Sequence, residues 1–327
     1  MSLQLDNTAQ FEPIIGDTQQ QKITIKSDYL NNKGKFHAFA IALIPFLGTI
    51  FAVTIALVSG INSVDIWLLV VMYVLNVIGI EVGFHRYFSH NAFQTKTSVR
   101  AGLAILGSMA AQGPVNYWVS NHRRHHQYSD SSGDLHSPHI REDQPLNRWQ
   151  GLWHAHIGWI FQHELTNTIV YAKDLLRDPL IYKINRLYLW WIVLGLTIPA
   201  VLGGLFTLSW TGMFSGLLWG GIVRLFLVQQ GTFIVNSVCH VWGSRPFLTS
   251  DRSTNNIWLA LPSLGGSWHN NHHTFPYSAT NRLDWWQVDI SGWLIQALGK
   301  LGLAWNIRVP SSEVIKAKKN SAISSEI

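Results

Sequence analysis

The chain has 327 residues, of which 47% are hydrophobic and 13% charged, with a net charge of +6. Charged residues are about half the roughly 25% of soluble globular domains, which excludes an ordinary soluble enzyme, and the apolar content excludes a disordered chain. A single cysteine, Cys239, excludes an intramolecular disulfide framework and reads as a packed thiol, while the absence of any run of five or six Lys/Arg argues against nucleic acid as a partner.

In chain order, residues 1–35 are polar, lack the apolar stretch of a signal peptide and are expected to form a cytoplasmic tail. A first apolar span covers 38–58, about 32 Å as a helix against a hydrocarbon core of about 30 Å, with Pro45 tolerated inside it. The second covers 66–84. Val99 to Val119 is less apolar, is interrupted by Pro114 and is expected to be an interfacial or buried helix. Spans at 187–209 and 214–236 complete four, in two hairpins. Four Lys/Arg precede the first span, eleven lie between the second and third, eight follow the fourth, and none falls in the two short loops. Both termini and the large loops are therefore expected on the cytoplasmic side. Arg224, inside the fourth span, is expected to face protein, because a lipid-facing arginine costs roughly 2.5–3.5 kcal/mol on insertion scales. The expected fold is an all-α integral membrane protein, its membrane domain at 36–310, with a cytoplasmic helical cap carrying a di-metal site and a polar C-terminal tail at 311–327.

Eight of the 15 histidines fall in three strings on that side: His85 and His90; His122, His125 and His126; His269, His272 and His273. Positions i, i+3 and i+4 share a helix face, so the second and third strings are each expected to aim three imidazoles at one point. His85 and His90, five apart, stand about 140° apart on an α-helix and are expected to serve different centres. Imidazole suits zinc, iron, copper and nickel, and eight convergent histidines exceed what one catalytic zinc takes, so two metals are the economical reading. His240, just past the fourth span, is a ninth candidate; Asn236, four residues earlier on the same face, is placed to hold a metal-bound water. His37 and His163 read as interfacial or hydrogen-bonded side chains, and His136, His139, His154 and His156 as supporting or structural ones.

The strings "GFHRYFSH", "NHRRHHQYSD", "NSVCHVWGSRPF" and "GGSWHNNHHTFPYSA", in this order and span layout, resemble the integral-membrane fatty acyl desaturases of the stearoyl-CoA desaturase type. The resemblance implies a non-haem di-iron centre of two Fe2+ that uses O2 and two electrons to insert a double bond, Δ9-type, into an acyl chain. It implies His85, His90, His122, His125, His126, His240, His269, His272 and His273 as ligands, with Asn236 holding a water. An external donor of ferredoxin or cytochrome b5 type is implied on the basic cytoplasmic face. Tyr73 and Val77, roughly 18 and 12 Å along a helix before His85, match positions that close the acyl tunnel.

Where animal acyl-CoA members carry basic residues for the CoA head, this chain has Ser120 with Asn121, and Gln162 with His163. CoA, an acyl carrier protein thioester and a glycerolipid all stay open as carriers. Glu81, one turn before His85, is placed to accept the second ring N–H of a ligand histidine, or to sit at the cytosolic mouth. An acetylenase or a hydroxylase would use the same centre. A metal transporter is the rival of another class, and it would need ligands near the membrane midplane.

Overall fold

The computed structural model describes residues 23–162 and 165–324, the last four by backbone alone. Helix α1, Asp28–Ser59, starts where the Ser27 hydroxyl accepts the Leu30 amide, so residues 28–35 of the expected tail are its first turns. Residues 1–22 lie outside the described part. Gly60, at φ +76°, ends α1, and Asn62 caps the next helix by accepting the Asp65 amide at 2.9 Å. That helix, α2, is α-helical over Ser63–Ile78 and π-helical over Gly79–Ser89. It thus runs past the expected end at 84 and carries His85 within it.

The single helix expected over 99–119 is two, α3 (Thr97–Ser108) and α4 (Val115–Tyr128). Ala111 and Gly113 take φ of 58° and 101°, and Pro114, which has no N–H to continue a helix, caps α4. Helix α3 touches the π-helical segment through glycine. A Cβ on Gly79 would stand 2.2 Å from the Gly107 amide nitrogen, and one on Gly107 2.5 Å from the Phe84 ring.

Helix α5 covers Arg148–His156, α6 Pro179–Arg186 and α7 Tyr188–Thr207. Left-handed Leu208 and the capping Ser209 then turn the chain into α8, Trp210–Val238, with its own π-helical stretch at Leu217–Val223. Helices α1, α2, α7 and α8 are each long and apolar enough to cross a membrane. Exposed Phe39, Ile44 and Leu57 on α1, and Leu189, Trp190 and Leu205 on α7, give these helices the apolar outer surface that lipid demands. Arg224 is fully buried in protein: it donates to Asn76 Oδ1 (2.7 Å), Met109 O (2.9 Å) and Gly195 O (2.7 Å), tying α2, the α3–α4 break and α7 to α8.

Shorter elements complete the chain. They include α9 (His269–Thr274), α10 (Ile290–Lys300) and α11 (Ser312–Ser324), the last lying within the stretch expected as a polar tail. Three two-residue antiparallel strand pairs, such as Gln94–Thr95 with Ala304–Trp305, add the only strands among the described residues. A buried ion pair between Arg86 and Asp289, 2.8 Å, anchors the start of α10 to the π-helical turn of α2.

Candidate metal centre

The nine candidate histidines stand in two groups. His85, His90, His122, His126 and His272 form one; His125, His240, His269 and His273 form the other; within each, the ligand nitrogens lie within 4.8 Å of one another. Two expectations are corrected here. His85 and His90 share a group, because the His90 amide donates to the His85 carbonyl at 3.2 Å and a helix closed by i→i+5 bonds stacks residues five apart; their ring centroids are 5.2 Å apart. The second and third strings do not each converge on one point. On an α-helix His122 and His126 lie roughly 40° apart, whereas His125 lies roughly 100° from His126, so α4 gives two histidines to one group and one to the other. Helix α9 divides its three the same way, His269 and His273 against His272.

Neighbouring side chains fix α9. Trp268, buried before it, donates its indole N–H to Val288 O at 2.8 Å, and Asn270 bonds both the amide and the carbonyl of Phe247.

Each neutral imidazole has one N–H, and for four of the nine a carboxylate takes it. His85 Nδ1 lies 3.0 Å from Glu81, His240 Nδ1 2.8 Å from Asp130, His125 Nδ1 3.0 Å from Asp134 and His273 Nδ1 2.8 Å from Asp251. Their Nε2 atoms are then lone pairs. His272 Nε2 lies 2.9 Å from both His85 Nε2 and His126 Nε2, more contacts than one proton serves, and the buried His125 Nε2 and His273 Nε2 have no hydrogen-bond partner. Convergent nitrogen lone pairs without protons between them fit a bound cation, and the all-imidazole set suits iron.

Electrostatics favour the ligand state at four of the nine rings. Burial pushes His122, His126, His269 and His272 well below the ordinary imidazole range, and their neighbours push the same way, so these rings are neutral at pH 7. Burial alone would raise Asp130, Asp134 and Asp251, but the histidine each one faces outweighs it and holds them below the usual carboxylate range. These three aspartates were missed in the sequence. "SD" and "GD" directly after the second string were a signal for Asp130 and Asp134; Asp251 had none.

Glu81 is packed so tightly beneath the centre that a Cβ on Gly266 would stand 2.5 Å from its Oε1. The His136 ring lies tilted against His125, centroids 4.3 Å apart, and His139 Nε2 donates to His240 O at 2.7 Å. His154 accepts from the Gln162 amide, His156 meets Ser237 and Gln230, and His37 accepts from the Tyr188 hydroxyl at 3.3 Å. His163 lies outside the described residues, and Cys239 is buried.

A largely apolar cavity of about 490 Å³ reaches His122 of the first group and is lined as well by Leu30, Lys33 and Gly34 of α1. Trp118, Asn236, Gln112 and Thr232 also line it. Trp118 stacks on His122 and donates to Gln112, whose amide donates to Thr232 at 2.8 Å. Tyr73 and Val77 do not line this cavity. The Tyr73 hydroxyl donates to Pro262 O at 2.7 Å beside Gly231, and Val77 packs in the core with Ile80, Val228 and Leu264.

A sequence model of fatty acid desaturases matches residues 63–306, a stretch that holds all nine histidines. The chain belongs to the fatty acid desaturase family. It is 48% identical to a hex-5-enoyl-[acyl-carrier protein] acetylenase of Moorena producens (strain JHB) over 98% of this chain and 99% of that one. It is 36% identical to the sn-1 stearoyl-lipid 9-desaturase of Anabaena variabilis, over 74% and 82%, and 34% identical to an acyl-CoA C20 Delta5-desaturase of Anemone leveillei, over 87% and 86%. This desaturase is therefore an oxidoreductase acting on acyl chains.

Proposed function

We propose that this desaturase removes two hydrogens from adjacent carbons of a short acyl chain carried as an acyl carrier protein thioester, and that an alkene substrate gives an alkyne. The observation that carries the reading is the cavity: it is lined by His122 of the first histidine group together with Gln112 and Thr232, and by no residue of α2, so α2 adds no acyl-chain room to it. The carrier is inferred from the acetylenase relative and from the cavity lining, in which Lys33 is the one Lys or Arg; where animal acyl-CoA members carry basic residues, Ser120 and Asn121 are buried and Gln162 is bonded to His154.

The reaction balances as R–CH2–CH2–R′ + O2 + 2 e− + 2 H+ giving R–CH=CH–R′ + 2 H2O. Iron held by the two histidine groups supplies, with O2, an oxidant able to attack a methylene that offers no acidic proton. The chain's own part is to hold that iron, to present the acyl chain along Trp118 and His122, and to keep water out with apolar walls. Asn236, at the cavity wall and four residues before His240, holds a water toward the second group. The four long helices are read as two membrane hairpins, with the cap, the centre and both termini on the cytoplasmic side, where an external donor provides the electrons.

The test is expression in a host lacking the activity, with mass spectrometry of the carrier-protein, CoA, lipid and free acyl pools. Loss of two hydrogens from hexanoyl- or hexenoyl-carrier protein is expected. Double bonds confined to lipid-bound chains, at position 9 or elsewhere, would overturn the carrier assignment, and a product that gains oxygen would make the enzyme a hydroxylase.

A further inference from the structure

We propose that residues 257–264, between α8 and α9, form a monotopic membrane contact whose apolar side chains are immersed in the acyl chains of the cytoplasmic leaflet. This rests on the reading of α2 and α8 as membrane spans and adds a lipid contact that no span supplies. The segment is held at a depth well inside both helices. Leu264 packs in one core with Val77 of α2 and Val228 of α8, and the Tyr73 hydroxyl donates to Pro262 O at 2.7 Å. Val77 and Val228 lie seven and eight residues inside the cytoplasmic ends of the apolar runs at 84 and 236, roughly 10 and 12 Å along a helix. Tyr73, four residues before Val77, lies deeper still on α2.

The residues suit that place. Residues 253–281 contain no Lys, Arg, Asp or Glu, although they belong to no long helix. Ile257, Trp258 and Leu261 are exposed, Trp258 by 86% and Leu261 by 66%, an apolar patch of the kind that marks a membrane contact. The Ser291 amide donates to Leu264 O, and Trp286 packs on Trp268 with ring centroids 5.3 Å apart, so the exposed indoles of Trp286 and Trp293 flank the patch. Indoles concentrate where hydrocarbon meets headgroups. A non-helical backbone is tolerated at membrane depth only where the protein satisfies its polar groups. Here the amides of Ala260, Ser263, Leu264, Gly265 and Gly266 donate to carbonyls of the same segment, and those of Trp258 and Leu259 to the Asn256 side chain. Ser263 and Ser267 turn their hydroxyls onto Leu259 O and Asn256 O. Helix α9, with its three histidines, follows directly, so lipid supports the segment that leads into the metal centre.

The test uses the full-length enzyme in lipid nanodiscs, each variant carrying one nitroxide label. Cys239, the sole cysteine, is buried, so an introduced cysteine is labelled alone, with the unsubstituted chain as the blank. Trp258→Cys and Leu261→Cys are compared with Ile44→Cys, exposed on α1, and Lys316→Cys, exposed on α11. Power-saturation EPR reads the collisions of each label with O2, which concentrates in hydrocarbon, and with a neutral nickel chelate, which stays in water. The logarithm of the O2-to-nickel ratio is expected to be positive at Trp258→Cys and Leu261→Cys, as at Ile44→Cys, and negative at Lys316→Cys. Melting temperatures identify any variant that fails to fold, and Ile257→Cys then takes its place. Negative values at both segment positions with a positive one at Ile44→Cys overturn the membrane contact and leave the spans standing. A negative value at Ile44→Cys as well overturns the reading of the long helices as spans, and the contact with it.

Discussion

The amide of His90 donates to the carbonyl of His85, and this one i→i+5 bond decides the composition of the metal centre. In an α-helix the two rings would diverge; here they stand with three other histidines. The wide turn is held from outside by the close approach of Gly79 and Gly107. Gly79→Ala would drive a methyl group into the α3 backbone, a kind of overpacking that costs roughly 1–3 kcal/mol. We expect a lower melting temperature and a loss of bound iron with helix content retained. Gly102→Ala, where a Cβ meets open space, is the control. Full iron and an unchanged melting temperature in Gly79→Ala would show that the turn does not depend on this contact.

The carboxylates behind the ligands are unevenly shared. Glu81 alone backs the five-histidine group, whereas Asp130, Asp134 and Asp251 back the group of four. Loss of such a partner typically weakens metal binding about 10–100-fold. In a titration of the metal-free enzyme with Fe2+ or Co2+, Glu81→Gln is expected to weaken one of two binding steps and Asp251→Asn the other. A variant that weakens both steps equally would mean that the two groups do not act as separate sites.

Much of this was legible in the sequence, and the illegible parts have physical causes. Span positions follow from apolar runs of membrane length, and the histidines stand out because three dense strings at or beyond the ends of the apolar runs have no packing explanation. The division of each string was hidden, since it depends on α4 and α9 lying between two centres rather than facing one. The π-helical turn was hidden as well: nothing in "GFHRYFSH" differs in composition from an α-helix, and the close approach of Gly79 to Gly107 where that segment begins is made only by the fold. Asp251 is 22 residues from the histidine it serves, a pairing that only the fold makes.

Stability of the metal-free enzyme should fall with acid. Burial lowers His273 and His154 to about 4 and His136 to about 3, against an ordinary 6.5. Between pH 6.5 and about 4 the unfolded chain binds protons at these positions and the folded chain does not, so each step down in pH favours unfolding. Asp130, Asp134 and Asp251 extend the trend: their stabilisation is present above the ordinary carboxylate value and is lost as pH falls below it. Melting temperatures of the apo-enzyme in one detergent from pH 8 to pH 4 are the measurement. A flat profile from pH 7 to pH 5 would contradict the neutral, buried state of these rings.

Chain length is expected to depend on what lies behind Thr232. Thr232 lines the cavity, a Cβ on the neighbouring Gly231 would stand 3.1 Å from the Tyr73 hydroxyl, and that hydroxyl donates to Pro262 O, so Tyr73 stands behind this stretch of the wall. Tyr73→Ala deletes the ring and leaves room that a longer substrate fills, offsetting part of the usual cost of a large-to-small change. Val77→Ala, one helical turn nearer the histidines, leaves a smaller gap in the core that Val77 shares with Ile80, Val228 and Leu264. We expect both variants to move activity toward longer acyl chains, Tyr73→Ala further, in a competition among carrier-protein thioesters of graded length. The shift should appear as a lower KM for the longer chains with kcat little changed, because neither residue touches the histidine groups. The wild-type length profile in both variants would place the end of the chain elsewhere in the cavity.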